Sequence, residues 1–411
     1  MTTATPAQTS SFFSRVQELA TEIRQGLCRV LEMDGQRTAA AVLGSIPGVH
    51  PSMRSRLLRA LTTESGPVCL YHMPGPDGLR RVLKAARLAK ADPDAIQACE
   101  VAIARFERFL DQERISRQTL RVMLGGYLPE VASTLLREST RGAYTAMCNI
   151  QGYHAQATLG TWIIIPGTTP DRCTTVVVGG FTGLRRLRKD PWTFAFARRV
   201  AGFDAHGVPM STTLDGVPTK DLDQPAFLEP FCSKPLPNFD EFTSDGWRRF
   251  VLQQSDVGIR SACTFFFCEV FPDSEPRFAS DGESDVFQTM VVSTPSRRML
   301  IDHIMHNDIW TRATPELECY RTIPHGPVRR GDRERRSHDR IDLRIGVDRL
   351  APGLDAIENA AIGTYRQILA HVFERLGLEF SDFHGFRCDI EHPLYASQIA
   401  LRFDLPPRPG T

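Results

Sequence analysis

Apolar residues recur at intervals of three and four along the first 150 residues of the chain. This spacing places them on one face of an α-helix. Two helix-start signals support the pattern, since Pro51 suits a first helical turn and Asp92-Pro93 is a cap followed by a first-turn proline. The pattern predicts helices over residues 10–31, 36–46, 51–61, 79–90, 93–113, 116–124 and 129–150.

Beyond residue 158 the pattern changes to short runs of β-branched and aromatic residues, which are typical of strands. Residues 204–246 are rich in Pro, Asp and Gly and predict long loops, whereas one apolar stripe predicts a helix over 353–377. The strands come in runs and do not alternate with helices, so we expect an α+β fold after the helical start. The predicted strands are 161–165, 173–178, 263–271, 286–293 and 395–404.

The length of 411 residues exceeds one ordinary hydrophobic core and predicts a multidomain protein. We expect a helical domain over residues 1–115, a helical connector over 116–155 and an α+β domain over 156–411. No apolar run approaches the roughly 18 residues that a membrane-spanning helix needs. The start lacks a signal-peptide pattern and the ten cysteines are scattered, so we expect a cytoplasmic, reduced protein without a membrane partner.

Positive charge is concentrated in one part of the chain. Residues 37–90 carry nine Lys or Arg and two acids, a net charge of +7, whereas the whole chain carries +1. The remainder therefore carries −6. A compact basic helical module on an otherwise acidic chain is typical of nucleic-acid-binding proteins.

This basic module contains two predicted helices, 36–46 and 51–61, separated by a break at Pro47-Gly48. The alanines at 39–41 would let the two helices cross closely. Phosphates and base edges of DNA are contacted by Ser and Arg side chains. With its apolar residues buried, the second helix presents such side chains at Ser52, Arg54, Ser55 and Arg59.

The segment resembles the helix-turn-helix regulators of bacteria. The matching residues are the Ala-Ala-x-x-Leu-Gly stretch at 39–44, then Val49, and Ser-Arg-Leu-Leu at 55–58, within about 25 of the 411 residues. Residues 45–48 lengthen the turn beyond the usual pattern and alter the expected docking geometry. The resemblance implies a regulator that binds DNA.

A second basic helix is predicted at 79–90. Its Arg80, Lys84 and Arg87 fall at i, i+4 and i+7, so they form one exposed row with no acid between them in sequence. We expect this row to hold phosphates together with Arg56.

Helical phase assigns the base contacts to Arg54, Ser55 and Arg59. The alternative interpretation of both helices is a basic outer surface that only keeps the protein soluble.

His303, His306 and Asp308 are weak candidates for a metal site, because imidazoles and carboxylates are metal ligands. On a helix the two histidines would share a face, and on a strand they would point apart. The apolar run 299–301 indicates a strand, which favours surface or structural histidines over a metal site.

Two other segments are candidates for anion binding. Six arginines lie between Arg329 and Arg340, within a segment 324–340 that predicts a solvated loop, or alternatively a second contact with nucleic acid or a protein partner. Residues 179–184 follow a Val-rich run and are Gly-rich, as a phosphate-binding turn would be if a helix began there.

Together these features predict a DNA-binding transcription regulator whose C-terminal domain senses a small-molecule effector or mediates self-association. A homodimer is expected because two half-sites match a two-fold axis. No cofactor is predicted. The alternatives are an enzyme that uses the His303, His306 and Asp308 group or the Gly-rich turn, and a non-catalytic assembly or scaffold protein.

Overall fold

The computed structural model describes residues 6–31, 50–189, 195–199, 211–244, 247–253, 256–280, 283–310, 313–351, 353 and 357–408. The chain divides into two compact units, Met1–Leu136 and Arg137–Thr411. The first is helical and the second is rich in strands, which together make an α+β protein.

Helices dominate the first unit. They are α1 (Pro6–Val30), α2 (Pro51–Thr62), α3 (Gly66–His72), α4 (Pro76–Leu88), α5 (Pro93–Glu113), α6 (Arg117–Tyr127) and α7 (Pro129–Gln151), the last of which continues into the second unit. The predicted helix 36–46 and the break at Pro47-Gly48 lie outside the described residues.

Side-chain caps and first-turn prolines fix where these helices begin. The side chain of Ser65 accepts a hydrogen bond from the backbone N–H of Val68, and the Asp92 carboxylate accepts from the N–H groups of Asp94 and Ala95. The apolar stripe of α1 is buried against α3 and α5, as its three-four spacing predicts. Helix α3 was not predicted, because seven residues are too few to reveal a helical period.

A six-stranded sheet forms the centre of the second unit, in the order β10-β11-β8-β1-β2-β6. Strands β1 and β8 pair in parallel, whereas all other neighbouring strands of this sheet pair antiparallel. These strands are β1 (Tyr153–Pro166), β2 (Arg172–Arg186), β6 (Cys263–Pro276), β8 (Ser296–His306), β10 (Asp348–Arg349) and β11 (Phe383–Glu391).

The other described strands of this unit form two three-stranded sheets. The first contains β7 (Asp285–Val291), β9 (Glu316–Arg321) and β12 (Ser397–Asp404), in the order β7-β12-β9. The second contains β3 (Ala195–Arg199), β4 (Asn238–Ser244) and β5 (Trp247–Gln253), in the order β3-β5-β4. The helices α8 (Arg333–His338) and α9 (Tyr365–Leu376) lie between strands β9 and β11 in the chain.

Both faces of the six-stranded sheet are covered. On one face Ile163 and Leu300 pack with Ile368 and Leu369 of α9. On the other face residues of β1 and β8 pack against Val286 of β7 and against β12. Because each face has its own apolar cluster, successive residues of the central strands are buried on alternate sides.

Two local predictions for this unit hold only in part, and a third is wrong. The predicted helix 353–377 begins only at Tyr365, because the described residues before it form turns. The predicted loop 204–246 contains β4. The Gly-rich residues 179–184 lie inside β2 and no helix begins there; Gly179 packs so closely on Phe267 that an added Cβ would lie 2.6 Å from its ring. These residues therefore do not form a phosphate-binding turn.

The prediction that 324–340 is a solvated loop is also wrong. Arg336 lies in α8 and donates hydrogen bonds to Asp285 at 3.3 Å and to Glu318 at 3.1 Å, and its side chain is only 16% exposed. Arg330 bonds to Asp285 at 3.2 Å. The carboxylates come from β7 and β9 and hold this basic segment on the protein.

Replacing Arg336 by Ala should destabilise the fold by about 3 kcal/mol, because it leaves the largely buried carboxylates of Asp285 and Glu318 without this partner. The matched control is Arg329→Ala. Arg329 is exposed in the same segment, so its loss should change stability by less than about 0.5 kcal/mol. Chemical unfolding of both variants measures the difference, and equal effects would contradict the assignment.

Candidate nucleic-acid interface

The predicted DNA-contacting residues of α2 differ in their exposure. Ser52, Ser55 and Arg59 are exposed, and Arg54 and Arg56 are partly buried. On the inner side Leu57 and Leu61 are buried, and Met53 and Leu58 pack on the core as partly buried residues. The predicted helical phase is therefore confirmed for the apolar residues and for Ser52, Ser55 and Arg59, whereas Arg54 is not fully outward.

The start of α2 is fixed by two residues. His50 is the N-cap and its ring accepts a hydrogen bond from the backbone N–H of Ser52 at 3.3 Å, and Pro51 follows in the first turn. Arg59 lies in the last turn, where the helix dipole favours a cation. Local sequence thus orients the exposed face of this helix.

The basic row of α4 is exposed as predicted, but two of its three cations are neutralised. Arg80 bonds to Glu107 at 3.1 Å and to Asp77 at 3.3 Å, and Arg87 bonds to Glu100 at 2.9 Å. No acid lies between these cations in sequence, but Glu100 and Glu107 of the neighbouring helix α5 pair with two of them. Within the described residues, Lys84 makes no ion pair with a carboxylate.

A different group of cations surrounds His72 at the end of α3. It consists of Arg56 and Arg59 from α2 and Arg117 and Arg121 from α6, and we call these four residues the arginine cluster. The loop that joins α5 to α6 and the short α3 bring the two pairs together, although about 60 residues separate them in sequence.

Arg117 is the inner member of the arginine cluster. Its guanidinium donates to the backbone carbonyls of Leu70 and Met73 at 2.6 Å each and to that of Tyr71 at 3.0 Å. These carbonyls stand at the C-terminus of α3, where a helix leaves acceptors free and concentrates partial negative charge. The Nη1 atom of Arg117 is buried and has no hydrogen-bond partner among the described residues.

The other members approach the same helix end. Arg56 donates to the Met73 carbonyl at 3.4 Å, and Arg121 donates to the Tyr71 hydroxyl at 3.2 Å with its guanidinium 4.9 Å from the centre of that ring. Arg59 lies exposed on the outer side of α2.

The arginine cluster changes the pKa values of groups within it. Burial lowers the pKa of His72 to about 4, and Arg59, Arg121, Arg56 and Arg117 lower it further in that order. Burial also lowers the pKa of Arg117 to about 9, with Arg56 and Arg121 adding to the effect. Guanidiniums grouped in this way favour an anion with several oxygens, such as a phosphate.

Sequence reasoning missed Arg117 and Arg121. Both lie in the predicted helix 116–124, which was interpreted as part of a connector. Their spacing of four residues places them on one helix face and is the signal that could have identified them.

In the second unit the weak metal candidates do not converge. The strand indicated by the sequence is β8, so His303 and His306 point to opposite faces of the sheet. Asp308 follows the strand and its backbone N–H donates to the ring of His306 at 3.2 Å. Among the described residues there is no group of three or more His, Cys, Asp or Glu side chains placed to hold a metal ion.

His303 is not a surface histidine but a fully buried one. Its ring stacks on Trp162 with 4.9 Å between centroids and 17° between planes, and it lies 5.3 Å from the Phe403 ring. Neither ring nitrogen has a hydrogen-bond partner in the described structure. Burial lowers the pKa of His303 to about 3, so the ring is neutral near neutral pH.

The neighbouring Asp302 is used inside the protein. Its carboxylate is fully buried and accepts hydrogen bonds from Arg387 at 2.9 and 2.7 Å and from the Tyr365 hydroxyl at 2.6 Å. These bonds join β8, β11 and α9. The geometry indicates a structural ion pair between the sheet and its helix.

No protein-family model, curated protein or solved structure matches this chain. In the described part of the chain, none of the helices combines the length and the apolar character that crossing a membrane requires. The functional assignment consequently depends on the geometry of the arginine cluster.

Replacing His303 by Leu should stabilise the protein by about 1–2 kcal/mol near neutral pH, because a buried imidazole without hydrogen bonds costs free energy that an apolar side chain avoids. The ring gains its proton near pH 3 when folded and near its ordinary value of 6.5 when unfolded. The unfolded chain therefore binds more protons between these values, and His303 makes the native protein lose stability as pH falls from 6.5 towards 3.

Chemical unfolding between pH 7 and 4 measures both effects for His303. The Leu variant should show a smaller loss of stability as pH falls than the unsubstituted protein. A variant that is less stable at pH 7 would mean that the imidazole makes a bond that the structure does not contain.

Replacing Arg59 by Gln should raise the pKa of His72 from about 4, because Arg59 is the cation with the largest effect on it. Arg81→Gln is the matched control, since Arg81 is an exposed arginine outside the cluster. The His72 ring signals followed by NMR against pH report the change. Equal pKa values in both variants would show that Arg59 does not face His72.

Proposed function

We propose that this protein is a cytoplasmic DNA-binding transcription regulator that grips phosphates with the arginine cluster. In this proposal its second unit senses a small-molecule effector or mediates self-association as a homodimer. All ten cysteines are free thiols, which is compatible with a reducing compartment.

The observation that carries the proposal is the arginine cluster beside the exposed face of α2. Arg56 and Arg117 both donate to the Met73 carbonyl, and Arg121 donates to the Tyr71 hydroxyl next to it. The positive charges of these three arginines and of Arg59 all lower the pKa of His72. Holding like charges together costs free energy, which a bound phosphate backbone would offset. Ser52 and Ser55 are exposed on the same helix and supply neutral donors for phosphate oxygens.

The contacts differ from those that helical phase alone assigns. Arg56 and Arg59 act with Arg117 and Arg121 on phosphates, whereas Arg80 and Arg87 would first have to break their pairs with Glu107 and Glu100. Base contacts remain proposed for Arg54 and Ser55, and Lys84 remains available for an outer phosphate.

The size of the cluster limits the expected salt dependence. If four phosphates are neutralised, affinity for duplex DNA should fall roughly a hundredfold when salt rises from about 50 to about 200 mM. A steeper fall would require phosphate contacts outside the arginine cluster.

Arg59→Gln should weaken binding to duplex DNA by about tenfold, because one phosphate contact is lost. Arg87→Gln is the matched control: its charge is paired with Glu100, so its loss should change affinity by less than about twofold. Fluorescence anisotropy with labelled DNA at constant salt measures both. Equal losses would indicate diffuse charge attraction, and no binding by the unsubstituted protein would overturn the proposal.

A further inference from the structure

A cavity of about 760 Å³ opens in the second unit. It is lined by some of the residues of segment 213–238, by Cys268 of β6, and by His371 and Arg375 of α9. This volume lies within the range of sites that hold small molecules, which is roughly 300–1,000 Å³.

The walls of the cavity are anchored although their sequence is loop-like. Thr212 and Val270 exchange two backbone hydrogen bonds of 2.8 Å, and Cys268 donates to the Ala226 carbonyl at 2.9 Å. Leu228 donates in turn to the Phe266 carbonyl at 2.8 Å. The loop thereby covers the edge strand β6, and binding would not have to order these parts of the wall first.

The lining is mainly apolar. Val217 lies at the cavity with 43% of its surface exposed, which is unfavourable in water and would be relieved by an apolar ligand. Three prolines stiffen the wall at positions 225, 230 and 237. The other large apolar lining residues are Leu214, Leu222, Phe227, Leu228 and Leu236.

Carboxylates outnumber the cations of the lining. Asp215 pairs with Arg375, and Glu229 pairs with Lys234 at 3.5 Å. Asp223 also lines the cavity, and in the described part of the chain no cation forms an ion pair with it. Asp223 is exposed, so its carboxylate stands in water at the rim of an apolar space. This combination favours a ligand that has an apolar body and one positive charge.

We propose that this cavity binds a small amphipathic cation, with its apolar body against Leu214 and Leu228 and its ammonium or amidinium group on Asp223. The inference rests on the ligand-sensing part of the proposed function and names the ligand class of that unit. It requires nothing of the arginine cluster.

Calorimetric titration of the full chain with three ligands of matched shape tests the proposal: cyclohexylmethylammonium, cyclohexylmethanol and cyclohexanecarboxylate. The ammonium compound should bind about threefold more tightly than the alcohol, because an ion pair with an exposed carboxylate adds about 0.7 kcal/mol. The carboxylate should bind most weakly. Absence of binding by the ammonium compound, or a preference for the carboxylate, would overturn the proposal.

Asp223→Asn should remove the preference for the ammonium compound and leave the affinity for the alcohol unchanged. Asp221→Asn is the matched control, because Asp221 is an exposed carboxylate two residues away that does not line the cavity. Val217→Trp should weaken binding of all three compounds by filling the cavity. A preference that survives Asp223→Asn would overturn the assignment of the cation site.

DNA affinity of the same variants separates this proposal from the proposed function. In the absence of ligand, the Asp223→Asn variant should bind DNA with the same affinity as the unsubstituted protein. The Arg59→Gln variant should bind the ammonium compound with unchanged affinity. If the protein binds DNA but not the ammonium compound, only the cavity proposal is contradicted. If it binds the ammonium compound but not DNA, only the DNA-binding proposal is contradicted.

Discussion

An arginine guanidinium carries a full charge and five N–H donors, so it can enter a protein interior only where acceptors surround it. This protein meets that constraint in three ways. Arg117 caps the backbone carbonyls at the end of α3, Arg387 forms a two-point ion pair with Asp302 under α9, and Arg336 joins the carboxylates of β7 and β9. Each arrangement ties together elements that are distant in sequence, and each depends on a partner that must be desolvated with it.

The same constraint separates cations that stabilise the fold from cations that remain able to bind a ligand. The row on α4 is conspicuous in the sequence, yet Arg80 and Arg87 are compensated by α5. The arginine cluster is less conspicuous, but its members lower the pKa of His72, and Arg56 and Arg121 also contribute to the lowered pKa of Arg117. An external polyanion would gain from several guanidiniums that lie close together, whereas Arg80 and Arg87 would first have to release Glu107 and Glu100. For this reason we assign the phosphate contacts to α2 and α6.

The sequence predicted elements whose signals are local. The period of α1, the Asp92-Pro93 start of α5 and the β-branched runs of β1 and β2 all correspond to helices or strands in the structure. The first part of the stripe at 353–377 misled because Ile357 is buried without being helical, and burial alone produces an apolar pattern.

Charge partners could not be predicted in the same way. Arg336 lies 51 residues from Asp285, and Glu107 lies 27 residues from Arg80. The pattern along the chain does not show which of these residues lie close together in space. For this reason the sequence did not predict the ion pairs that hold segment 324–340 on the protein or those that neutralise the row on α4. The outward phase of α2 was predictable since it follows from the helical period alone, whereas the contribution of Arg117 and Arg121 depends on how α3 and α6 pack.

Selection of bound sequences from random duplex DNA by the full-length protein, at about 50 and about 200 mM salt, tests the central claim most directly. A regulator that uses the arginine cluster for phosphates and α2 for bases should enrich one sequence, with palindromic half-sites if it is a homodimer, and should retain it at the higher salt. Binding that disappears at the higher salt with no sequence enriched would contradict the account.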